Sequence, residues 1–132
     1  MVACNIAAMG EALVLATRAG LDPAVVFNAV KGGLAGSTVL NAKAPMVTAR
    51  NFQPGFRIRL HQKDLRNALL AAESMKVGLP LTSMVQQMLM ALMNEGKGDL
   101  DHSAIVMFVE AMAGIEIKSQ AASAQYRRSE LR

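Results

Sequence analysis

Between its breakers this chain offers only helix-forming segments: no stretch of its 132 residues sustains the alternation of apolar and polar positions, with β-branched side chains, that a strand needs. A sheet is therefore not expected, and the apolar side chains must be buried by packing helix on helix. Composition agrees. Hydrophobic residues make up 52% of the chain, yet four are Phe, one is Tyr and none is Trp, so a core must be built from Ala, Leu, Val and ten Met. Such residues favour helices. Met fills irregular core gaps and also recurs on surfaces that bury against partners, and ten in so short a chain fit either use. The length supports one domain with a core of its own.

Gly and Pro divide this core-forming sequence into about six helices. The first runs from Val2 to Ala19, with Gly20 placed for a left-handed C-terminal cap. It has no start signal, since Met1 opens directly onto Val2 and Ala3, so a native helix beginning upstream is expected. Asp22 and Pro23 form an N-cap and first helical position, and the second helix runs through Val30 to the Gly32-Gly33 pair. Ser37 is placed to cap a third helix, expected to be bent or split at Pro45 and to end near Arg50. Residues 51–58, with Pro54-Gly55 between two phenylalanines, read as the one clear loop. A fourth helix then runs to Lys76 and Gly78. Thr82 or Ser83 is the expected cap of a fifth over Met84 to Glu95, with Met88, Leu89, Leu92 and Met93 as its apolar stripe. Asp101 or Ser103 caps a last helix from Ala104 to about Ala113, and residues 118–132 form a polar tail, read as a short exposed helix or disorder.

The net charge of +4 is spread along the chain without aromatic interleaving, which argues against nucleic-acid binding. Cys4 stands alone in an apolar stretch, as a small buried hydrophobe would, and a reducing, cytoplasmic setting fits it. The apolar opening is interrupted by Asn5, Gly10 and Glu11, lacks a basic leader and falls short of the roughly 20 residues of a membrane span. Neither a signal peptide nor a membrane anchor is expected.

Chemistry is sparse in the residues themselves. His61 and His102 each lack a second ligand at a spacing typical of a metal site, and His102-Ser103 reads as a helix start rather than a nucleophile with its base. The Gly32–Gly36 stretch has no strand before it, so it reads as a hinge and not as a phosphate cradle. Lys63 and Asp64 are different: they sit about one turn into a helix that starts just after the Pro54-Gly55 turn, near Phe56. A cation, a carboxylate and an aromatic ring there fit either a pocket for an anionic ligand or solvated surface charges beside a core-capping ring.

These residues also carry a resemblance. Residues 5–20 (NIAAMGEALVLATRAG), 32–40 (GGLAGSTVL), 51–56 (NFQPGF), 60–65 (LHQKDL) and 101–104 (DHSA) resemble the C-terminal domain of the β-hydroxyacid dehydrogenase family, which is 3-hydroxyisobutyrate dehydrogenase-like. The resemblance spans about residues 1 to 117. It implies an all-α fold of the 6-phosphogluconate dehydrogenase-like type, serving as a substrate and oligomerisation domain. It also implies an N-terminal Rossmann domain holding NAD or NADP, and a small hydroxy or oxo acid bound between the two. In the family a Lys-x-x-Asn motif on the linking helix acts on the substrate. That motif would fall before Met1, so no catalytic residue is expected in this chain, and alone it is expected to be inactive and to bind no cofactor. The resemblance assigns Lys63 to the cofactor, Asp64 to support of the active-site network and Phe56 to the substrate border, with Ser37 a second contact or simply a cap. Homo-oligomers through the helices are expected. From residue types alone, a helical assembly module without enzymatic descent fits as well.

Overall fold

A computed structural model describes residues 1–119, so most of the predicted 118–132 tail lies outside the described residues. Six α-helices follow one another: α1 (Val2–Arg18), α2 (Pro23–Val30), α3 (Thr38–Thr48), α4 (Ile58–Ser74), α5 (Pro80–Asn94) and α6 (Val106–Ala113), with a 3-10 helix, His102–Ile105, leading into α6. Among the described residues there is no strand, only an isolated antiparallel bridge between Arg57 and Asp101. The all-helical expectation holds. No helix among the described residues is long and apolar enough to cross a membrane.

The first helix is the central element. Its buried residues Ala3, Ile6, Ala7, Met9, Gly10, Leu13 and Val14 recur in steps that wrap more than one side of the helix, which packs against α2, α3, α5 and α6. Burial of Ile6 and Leu13, each nearly complete, contributes about 2 kcal/mol apiece. At Gly10 a Cβ would lie 3.0 Å from Val106 Cγ1, so a larger residue would require Val106 to give by a few tenths of an ångström where α1 and α6 meet. Gly20, at φ +81°, turns the chain out of α1 as its position predicts.

Two caps match the sequence reading. The Asp22 side chain accepts from the Ala24 N–H at 2.8 Å, and Ser37 Oγ accepts from the Leu40 N–H at 2.9 Å. Two expectations need correction. Of the two alternatives at Pro45, bent or split, the split is not seen: Pro45 lies inside one continuous helix. Proline forfeits only its own N–H there, its carbonyl still accepts from the Ala49 N–H, and fully buried Ala44 and Val47 anchor the turns on either side. The fifth helix begins at Pro80, with Leu79 rather than Thr82 or Ser83 in the cap position, because proline is preorganised for the first helical residue. Ser83 Oγ instead donates back to the Leu79 carbonyl at 2.9 Å.

The segment after α6 is held by its own polar anchors. Glu110, buried on α6, pairs with Arg50 at the end of α3 and accepts from the Ile117 N–H at 2.7 Å, while Ile117 is fully buried.

Candidate functional site

The loop between α3 and α4 is organised by one carboxylate. Asp101 is completely buried; its Oδ2 accepts from the N–H groups of Gly55 at 2.9 Å and Phe56 at 3.1 Å, and its Oδ1 accepts from the Ser103 N–H at 2.9 Å. The Lys43 ammonium, on α3, donates to both oxygens at 3.0 Å. Backbone bonds complete the clamp: Asp101 N–H donates to the Phe52 carbonyl at 2.9 Å and His102 N–H to the Phe56 carbonyl at 2.7 Å. Burial alone would raise this carboxyl, but the Ser103, Lys43 and Phe56 hydrogen bonds outweigh it and hold Asp101 well below the usual carboxylate range. Asp101 is thus the cap of the 3-10 helix, correcting the alternative that gave the role to Ser103, which lies inside that helix and is capped by it.

The clamp places three rings together. Phe56 meets His61, on the first turn of α4, edge-to-face at 5.6 Å between centroids, and meets His102 at 5.4 Å in the same manner. The two imidazoles touch through Nδ1 atoms 2.9 Å apart. Burial is the largest influence on both, pushing His61 down and His102 down to about 4, with the Lys43 charge adding to the effect at His102. Both rings are therefore neutral near pH 7.

Beside the rings lies a cleft of about 330 Å³, lined by Val2 at the opening of α1 together with Phe56, His61, Asp64, Leu65 and His102. The structure thus brings Phe56 and Asp64 to one cavity. Lys63 does not line it; its ammonium lies 3.0 Å from Oδ1 of Asp64, which does, and both side chains are about half exposed. Ser37 lies elsewhere, in a second depression with Asn5, Met9 and Gly36, where it caps α3. Sequence reasoning missed the roles of Lys43 and Asp101 in shaping the loop, and of His61 and His102 as one contacting pair. Asp101, His61 and His102 belong to the LHQKDL and DHSA stretches, whereas Lys43 lies in neither and carried no signal.

Comparison with known proteins places these residues in context. A sequence model described as NAD-binding of NADP-dependent 3-hydroxyisobutyrate dehydrogenase matches residues 1–109. The chain is 43% identical over 113 residues to 2-hydroxy-3-oxopropionate reductase of Escherichia coli K12, covering 86% of this chain and 39% of that protein. It is 32% identical over 118 residues to 2-(hydroxymethyl)glutarate dehydrogenase of Eubacterium barkeri, covering 89% and 39% respectively. Its fold superposes on a crystal structure of 3-hydroxyisobutyrate dehydrogenase from Salmonella typhimurium with a TM-score of 0.77 and 28% identity, covering 80% of this chain and 37% of that one. The chain therefore spans about two fifths of the length of these relatives. With most of its length matched and this level of identity to a named reductase, the chain belongs to the 3-hydroxyisobutyrate dehydrogenase-like family of oxidoreductases.

Proposed function

We propose that this chain is the helical C-terminal lobe of an NAD(P)-dependent 2-hydroxy-3-oxopropionate reductase, and that its cleft forms one wall of an active site completed by a nucleotide-binding lobe. The observation that carries the reading is the convergence of Phe56, His61, Asp64 and His102 with the opening turn of α1, with the Lys63 cation paired to Asp64. The 43% identity to the E. coli reductase supports the choice of substrate.

The described residues offer a dinucleotide a partial fit. They contain no strand and so no strand-turn-helix phosphate cradle, but the half-exposed Lys63 ammonium can donate to an anionic or carbonyl oxygen. When bound, the nicotinamide supplies the hydride. In this chain Lys63 contacts the cofactor, Asp64 orients Lys63 through their ion pair, and Phe56 borders the substrate and excludes water from that side. The proton for the reduced oxygen comes from outside this chain's site residues, so the isolated chain is inactive. Exposed apolar side chains such as Leu70, Val77, Leu81 and Met84 support helix-to-helix association in the assembled, cytoplasmic enzyme.

A chimera tests the proposal: this chain replaces the matching C-terminal stretch of the E. coli reductase, and NADPH oxidation is followed with a panel of oxo acids. Efficient turnover with 2-hydroxy-3-oxopropionate is expected, and preference for glyoxylate, succinic semialdehyde or oxidation of 3-hydroxyisobutyrate would reassign the substrate. A folded chimera inactive on all of them would refute the assignment.

A further inference from the structure

Phe56, His61 and His102 line the cleft, and all three are tied to an ion pair whose members, Lys43 and Asp101, do not line it. Phe56 is fixed on both sides of its residue: its N–H donates to Asp101 Oδ2 at 3.1 Å, and its carbonyl accepts from the His102 N–H at 2.7 Å. His102 follows Asp101 directly in the chain. Its ring stands 5.4 Å from that of Phe56 and 4.9 Å from that of His61, centroid to centroid. A shift of the Asp101 carboxylate is therefore passed to one whole side of the cleft.

Lys43 supplies what the other donors to that carboxylate cannot. The N–H groups of Gly55, Phe56 and Ser103 are neutral, and among the described residues Lys43 is the one cation bonded to Asp101. It reaches across from α3 and donates to both oxygens at 3.0 Å, which fixes the plane of the carboxylate. Without it, a wholly buried Asp101 either carries an unbalanced charge or takes up a proton, and a protonated carboxyl is a poorer acceptor for the two loop N–H groups on Oδ2. The same ammonium acts on His102. After burial, Lys43 is the largest influence keeping that ring neutral, with His61 adding to it and Asp101 opposing. His61 in turn feels Asp64, the amino terminus and Asp101.

We propose that Lys43 is a positioning residue for the reduction: acting through Asp101, it keeps Phe56 and the imidazole pair in register along the side of the cleft that meets the oxo acid. The inference rests on the proposed placement of substrate in this cleft and adds a residue that touches neither substrate nor cofactor. Phe56 borders the substrate both before and during hydride transfer, so loosening it weakens binding more than it slows the chemical step. Removing the cation also leaves His102 beside an unpaired Asp101, which favours the charged form of the ring.

Lys43→Met and Lys43→Arg test this in the chimeric reductase, with a melting temperature recorded for each. Lys43→Met is expected to raise KM for 2-hydroxy-3-oxopropionate about tenfold with kcat within about threefold, and Lys43→Arg, whose guanidinium also pairs with a carboxylate, to recover most of that loss. The chain has only these two histidines, so ring-proton NMR titrations of the free chain follow each one. His102 is expected to move up from about 4 toward 6.5 in Lys43→Met and to stay low in Lys43→Arg. A folded Lys43→Met chimera with unchanged KM would overturn the proposal, and so would a His102 that titrates where it did before or a Lys43→Arg no better than Lys43→Met. If Lys43→Met does not fold, Lys43→Arg decides: a KM near the parent's supports the role, and a tenfold rise in the folded variant overturns it. A parent chimera without turnover on any oxo acid would instead refute the placement of substrate, and this inference with it.

Discussion

Two lysine–aspartate pairs of equal length do opposite work in this molecule. Lys43–Asp101 and Lys63–Asp64 both close at 3.0 Å, but the first carboxylate is wholly buried and its lysine nearly so, whereas both members of the second are about half exposed. The buried pair is surrounded by three backbone donors and shapes the loop that carries Phe56. The exposed pair touches no such framework, and solvent screening leaves it worth about 0–1 kcal/mol. A pair so weakly tied to stability is free to exchange its partner for a ligand, while one that organises a loop is not. Distance alone does not separate a scaffold from a binding group; burial and the remaining hydrogen-bond partners do.

The strongest way to break this contrast is Asp101→Ala. It strands the Lys43 ammonium and frees the N–H groups of Gly55, Phe56 and Ser103, so chemical denaturation is expected to show a loss of about 3–5 kcal/mol. A loss below about 1 kcal/mol would mean that the clamp is no scaffold.

Acid titration sharpens the same point. His102 has its pKa lowered from 6.5 to about 4, so the unfolded chain takes up its proton first as the pH falls. The stabilisation is fully present above 6.5 and is lost on descent toward 4, by about 3 kcal/mol, with His61 acting in the same direction. Asp101, also depressed, adds a further loss below its ordinary value of 3.8. Urea midpoints recorded from pH 7.5 to 3.5 should fall steadily, and replacing His102 by Phe should flatten the upper part of that fall. The smallest effect belongs to the exposed pair: Lys63→Ala is expected to change stability by less than about 0.5 kcal/mol in the same assay.

Most of the fold was legible because its punctuation is local. Gly20, the Asp22-Pro23 cap and Ser37 each act within one turn, and the structure uses them as their chemistry predicts. Pro45 did not split α3, since a proline's effect depends on whether the neighbouring turns are anchored, and Ala44 and Val47 anchor them. At the site, Phe56 and Asp64 come from separate stretches, NFQPGF and LHQKDL, and the fold brings both to one cleft. Lys43 and Asp101 lie 58 residues apart and His61 and His102 lie 41 apart, so neither contact leaves a periodic or spacing signal in one sequence. Tertiary proximity decides both.

The central claim is that Lys63, paired to cleft-lining Asp64, serves a ligand and not the fold, and the chimeric reductase carrying Lys63→Ala tests it most directly. Loss of a charge-assisted hydrogen bond predicts a fall of about tenfold to one hundredfold in kcat/KM for NADPH, at an unchanged melting temperature. An unchanged kcat/KM, or a fall matched by a lower melting temperature, would contradict it.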